Sequence, residues 1–138
     1  GVDFYTALAD QTGNERAAEI FRFLAGEEKD HVAAFQKIHD ASKEYIPSEL
    51  YPEEYFAYMK DLASEHVFSQ AGKGAGAAQD VEDEKDAVEL ALRFEDESIK
   101  FFSAMKKAVS DNESAIIDAL IEQELKHIEK LNELKATV

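Results

Sequence analysis

Cysteine is absent from the 138 residues. That removes disulfide scaffolds, thiolate zinc sites, iron–sulfur clusters and cysteine nucleophiles together. Basic residues are scarce, 15 Lys and Arg against 30 Asp and Glu, for a formal net charge of −15. A field of that sign repels phosphate, so nucleic acid and anionic membrane are poor partners, while cations are attracted. With 6 Gly and only 2 Pro, the chain is poorly supplied for a turn-rich β fold. No apolar run approaches the roughly 18 residues of a membrane span, and no signal peptide precedes the first polar residues. The expectation from these absences is one soluble, cytoplasmic domain over residues 1–138.

What is abundant is helix-forming. Ala, Glu, Lys and Leu dominate, and apolar residues make up 45%, enough to form a core without help from a disulfide or a metal. Breakers cluster at Asp10–Asn14, at Ile46-Pro47-Ser48 and Tyr51-Pro52, at Ala71-Gly72-Lys73-Gly74-Ala75-Gly76, and at Ser110-Asp111-Asn112. Between them the pattern predicts helices over about 1–11, 14–44, 53–69, 80–109 and 112–136. Asn14 is a good N-cap, and Ser110 with Glu113 forms a capping box. The Gly-rich run lacks the Gly-Lys-Ser/Thr and preceding strand of a phosphate loop, and reads as a flexible linker.

Periodicity singles out the chemistry. One helix has a seam of Phe21, Leu24, Glu28, His31, Phe35 and Ile38. Another has Ile117, Leu120, Glu124, His127, Leu131 and Leu134. Both follow the alternating three- and four-residue steps of a packed bundle helix. Each carries Glu-x-x-His in mid-seam, where apolar side chains belong. A third seam, Val88, Leu92, Glu95, Ile99 and Phe102, also contains one carboxylate. Val2-Asp3-Phe4-Tyr5 lines up with Ile99-Lys100-Phe101-Phe102, so the chain reads as two copies of a helical hairpin. Segment 45–79 joins them at a length that suits a crossover. Its aromatics Tyr45, Tyr51, Tyr55, Phe56, Tyr58 and Phe68 must pack on the bundle or on a second subunit, which predicts a homodimer.

A lone buried Glu is costly unless neutralised or paired. Glu28, Glu95 and Glu124 meeting two neutral imidazoles at one level of a core would repel, and divalent cations would turn that repulsion into binding. Carboxylate with imidazole suits iron or manganese, and less selectively zinc. Paired Glu-x-x-His helices with single Glu residues on the other two helices are a known two-metal arrangement in bundles.

On Glu28-Lys29-Asp30-His31, Glu124-Leu125-Lys126-His127 and Glu95-x-x-Ser98-x-x-Phe101-Phe102, the sequence resembles the ferritin-like di-iron carboxylate family, rubrerythrin branch. The resemblance covers both hairpins, and it implies an all-α, ferritin-like four-helix bundle whose crossover contains a short helix. It also implies two iron ions, with manganese or zinc as substitutes. Glu28 and Glu124 would bridge them, Glu95 and His127 would complete one ion, and His31 the other. The catalytic role of Glu28, Glu95 and Glu124 would run through the metal, with Tyr5 as an outer hydrogen-bond partner.

The sequence departs from that pattern in three places. Ser98 stands where the family usually has a further carboxylate. No rubredoxin-like four-cysteine module supplies electrons, so an external donor such as a rubredoxin-like protein is required. Aligning the hairpin copies maps Glu95 to a position three residues before Gly1, which predicts that the natural protein continues upstream with a Glu there.

The resemblance implies an oxidoreductase that reduces peroxide or dioxygen. An iron-binding, ferroxidase or iron-storage protein is the alternative, and a non-catalytic bundle with a degenerate site is a third reading. His39 and Glu65-His66 read as solvated, Asp96 and Glu97 as pointing away from the seam, and Phe101-Phe102 as core.

Overall fold

The chain is described here from a computed structural model, over residues 1–42, 57 and 73–138. The described residues contain helices and no strand. They form α1 (Val2–Gln11), α2 (Glu15–Ser42), α3 (Lys73–Gln79), α4 (Glu84–Met105), a 3₁₀ turn (Lys106–Ala108) and α5 (Asp111–Lys135). None is long and apolar enough to cross a membrane.

Local chemistry sets the helix ends. Asn14 Oδ1 accepts from the Ala17 amide at 3.1 Å and starts α2. The Ser110–Glu113 capping box starts α5. α4 begins at Glu84 rather than near 80, because the Asp83 carboxylate caps it, accepting from the Asp86 amide at 2.9 Å.

α1 packs chiefly on α2, and α4 chiefly on α5, as two helical hairpins, with α2 and α5 in contact across the bundle. This is the all-α bundle that the seams predict, and it agrees with the ferritin-like fold that the resemblance implies. One apolar cluster holds Phe4, Leu8, Phe21, Leu24, Val88 and Leu131, among others. A second holds Ile38, Phe102, Met105, Ile117 and Leu120. On α2, α4 and α5 alike, the polar seam residues fall between the two clusters.

Two expectations are corrected. The Gly-rich run is no flexible linker over its described part: Lys73–Gln79 is helical and packs on α1. Gly74 explains how, since a β-carbon there would lie 3.1 Å from Phe4 Cβ and 3.3 Å from the Phe4 amide nitrogen. A side chain there would press on Phe4, so glycine eases so close a helix crossing. On α4, Leu92 and Ile99 are half-buried, and Ala91 and Phe94 are buried instead. Phe94 turns inward because it stacks on Phe4, with ring centres 5.1 Å apart. The crossover aromatics, with the dimer expected from them, and Glu65-His66 lie outside the described residues, as does the side chain of His39.

Candidate metal centre

Three helices deliver five ionisable side chains to the layer between the apolar clusters. α2 brings Glu28 and His31, α4 brings Glu95, and α5 brings Glu124 and His127. An i, i+3 spacing puts both members of each Glu-x-x-His pair on one helix face. All five are buried, and Glu95 and Glu124 have no exposure. One ligand atom from each of Glu28, Glu95, Glu124 and His127 can be chosen so that all four lie within 4.8 Å of one another. His31, Glu124 and His127 form a second such group. The sequence-derived candidates therefore converge, with Glu124 and His127 common to both groups.

Glu124 is the hub. Its Oε1 is 3.2 Å from His31 Nδ1, and its Oε2 is 2.9 Å from His127 Nδ1. His127 Nδ1 also lies 3.5 Å from Glu95 Oε1, and His31 Nδ1 lies 3.7 Å from Glu28 Oε1. The two imidazoles stack with centres 5.5 Å apart. Tyr5, wholly buried, donates its phenolic hydrogen to Glu95 Oε1. Gly1 reaches the same level: a β-carbon there would collide with the Glu28 carboxylate.

At His127 the charge state differs from the neutral imidazole that the sequence suggests. Burial alone would lower His127, but Glu124 and Glu95 beside it hold its pKa up at about 10. His31 is raised against the same burial penalty, mainly by Glu124. Burial would raise Glu124, yet the two imidazoles pull it down to about 2. Glu95, the most deeply placed, is pushed up to about 8, chiefly by burial. Glu28 is raised by burial and by the Glu124 charge. Tyr5 is held well above the usual phenol range by burial and by Glu95. Without a metal, the layer keeps protons on His127 and on Glu95, which limits repulsion among its carboxylates.

The donor set fits a cation. Glu28 Oε1, Glu95 Oε2, both oxygens of Glu124 and Nδ1 of both histidines are buried without a hydrogen bond. Buried polar atoms are normally satisfied, and these converge on one layer as oxygen and imidazole donors, the ligand types that suit iron or manganese.

Sequence reasoning missed three residues. Glu97 is not directed away: its Oε2 is buried without a partner, and it lines a cavity of about 430 Å³ together with Glu28, His31, Phe35 and Phe102. Asp96 does point outward, paired with Lys100. Gln123 Oε1 sits 3.0 Å from His31 Nε2, and Glu27 Oε2 sits 3.9 Å from His127 Nε2. Nothing in the seam periodicity marks Glu27 or Gln123, since both lie one residue off it.

The family model described as Rubrerythrin matches residues 1–135 of the chain. No curated protein and no solved structure matches it.

Proposed function

The chain belongs to the rubrerythrin family, and from that premise we propose that it is a non-haem di-iron oxidoreductase that reduces peroxide or dioxygen with electrons from an external donor. The observation that carries the reading is the convergence of Glu28, His31, Glu95, Glu124 and His127 in one buried layer with their donor atoms unsatisfied. Glu28, His31, Glu95, Glu124 and His127 would hold the two ions. Two bound iron ions supply the electron-transfer chemistry.

The rest falls to the chain's own residues. Glu124, ionised far below neutral pH, could offer both oxygens to a cation without first losing a proton. Glu95 and His127 hold protons that a cation must displace, so loading releases protons from the site. Tyr5 fixes the orientation of Glu95 by its hydrogen bond. The apolar clusters on either side keep bulk water away from the layer. The cavity beside His31, walled by Phe35, Phe101 and Phe102, gives a small oxidant an approach, with the Glu97 carboxylate available to relay protons.

No cysteine lies in these 138 residues, so reducing equivalents would reach the layer from a donor outside them, such as a rubredoxin-like protein. An iron-oxidising or iron-storing role would use the same ligands. The two separate on the oxidant and on assembly size. Stopped-flow mixing of the ferrous-loaded protein with hydrogen peroxide, and separately with dioxygen, tests the proposal. Fast iron oxidation by peroxide, repeated on re-reduction without iron release, supports it. Oxidation accompanied by growth of a ferric mineral in a hollow shell supports storage instead.

A further inference from the structure

The two histidines face the layer in the same sense. Each turns Nδ1 to the carboxylates and Nε2 away from them. What receives Nε2 differs. For His31 it is the amide oxygen of Gln123, at 3.0 Å. His127 Nε2 has no such partner: it is buried without a hydrogen bond, and the Glu27 carboxylate on that side stands 3.9 Å away. Gln123 immediately precedes Glu124, and Glu27 immediately precedes Glu28. The residue before each seam Glu therefore lies toward the histidine of the other helix's motif, bonded to it at Gln123 and short of hydrogen-bond distance at Glu27. The repeated x-Glu-x-x-His unit thus faces its copy, with an amide already hydrogen-bonded on one side and a carboxylate 3.9 Å off on the other.

That difference has chemical weight. With Nδ1 turned to a cation, the remaining proton must sit on Nε2, which makes Gln123 Oε1 and the Glu27 carboxylate the acceptors. A charged acceptor makes a hydrogen bond roughly twice as strong as a neutral one. It also pushes more electron density onto the ring and so onto the bound ion. The Glu27 side chain is 35% exposed, leaving it room to rotate and close the present separation.

We infer that Gln123 and Glu27 are positioning residues for His31 and His127, and that they make the two metal positions unequal. The ion on the His127 side is held more tightly and is more stable in its higher oxidation state. This rests on the di-iron reading above.

The test is an anaerobic ferrous iron titration of the full chain, followed by a redox titration read by Mössbauer spectroscopy. The proteins are the parent, Glu27→Gln, Gln123→Glu and the double exchange, with His31→Ala and His127→Ala used to assign the two steps. Glu27→Gln should weaken the His127-side step by about 10–100-fold, the usual effect of losing such a partner, and raise that iron's reduction potential. Gln123→Glu should tighten the His31-side step and lower its potential, and the double exchange should reverse the order of the two sites. A purely structural role would change the melting temperature and leave the potentials alone, which would overturn the inference. So would two irons bound with the same affinities and potentials in all four proteins. A parent that binds no iron would instead overturn the di-iron reading itself. Should Gln123→Glu fail to fold, Glu27→Gln decides alone.

Discussion

Tyr5 and Glu95 are 90 residues apart in the chain, yet the phenol of one donates to the carboxylate of the other in the centre of the bundle. The bond ties α1 of the first hairpin to α4 of the second at the level of the candidate ligands. The Tyr5 ring is held independently by Phe94 and Phe21, at 5.7 and 6.3 Å between centres. Ring and hydroxyl can therefore be tested separately.

Tyr5→Phe keeps the ring and removes the donor. Glu95 Oε1 is left without its hydrogen bond, at a cost of about 1–3 kcal/mol. Urea unfolding of the metal-free variant should show a lower midpoint at an unchanged slope. A midpoint equal to the parent's would contradict the bond.

The pH dependence of the metal-free protein follows from the raised and lowered pKa values. His127, held near 10, and Glu95, near 8, both bind more protons in the folded than in the unfolded state. Stability should fall as pH rises, first as Glu95 becomes ionised in the unfolded chain above about 4.5, then as His127 loses its advantage between about 6.5 and 10. Glu124, depressed to about 2, adds stability above about 4.5 that is lost as pH falls through 2. Thermal melts from pH 3 to 10 should therefore peak in the mildly acidic range. A plateau from pH 6 to 10 would contradict the assigned protonation.

The two described glycines of α3 should respond in opposite directions. Nothing lies within 4 Å of a β-carbon at Gly76, so Gly76→Ala should stabilise the fold by about 0.4–1 kcal/mol through helix propensity and unfolded-state entropy. At Gly74 the neighbouring atoms belong to Phe4, part of them backbone, and Gly74→Val should cost about 1–3 kcal/mol by overpacking. Denaturant titration of the two variants checks the pair. Equal effects would mean that α3 does not cross α1 at Phe4.

The fold was legible because the same irregularity occurs twice. Glu28-x-x-His31 and Glu124-x-x-His127 interrupt otherwise apolar seams at matched positions, and periodicity exposes that without any contact information. Glu95 was legible on the same ground. Glu97 was not, because a residue off the seam is read as solvated, whereas this one lines the cavity beside His31. The helicity of Lys73–Gln79 was hidden by composition. Glycine signals flexibility in sequence, but at Gly74 it serves close packing against Phe4. The cross-helix contacts of Gln123 with His31 and Glu27 with His127 depend on how α2 and α5 are set against each other, which no single-helix pattern encodes. The raised pKa values of the two histidines depend on the same assembled geometry.

Iron content bears most directly on the central claim that these five residues form a two-iron site. The parent, His31→Ala and His127→Ala should be loaded with ferrous iron under nitrogen, desalted, and measured by elemental analysis alongside Mössbauer spectra. The account expects two irons per chain in the parent and about one in each variant, with each variant lacking a different spectral component. Two irons retained in both variants, or none bound by the parent, would contradict it.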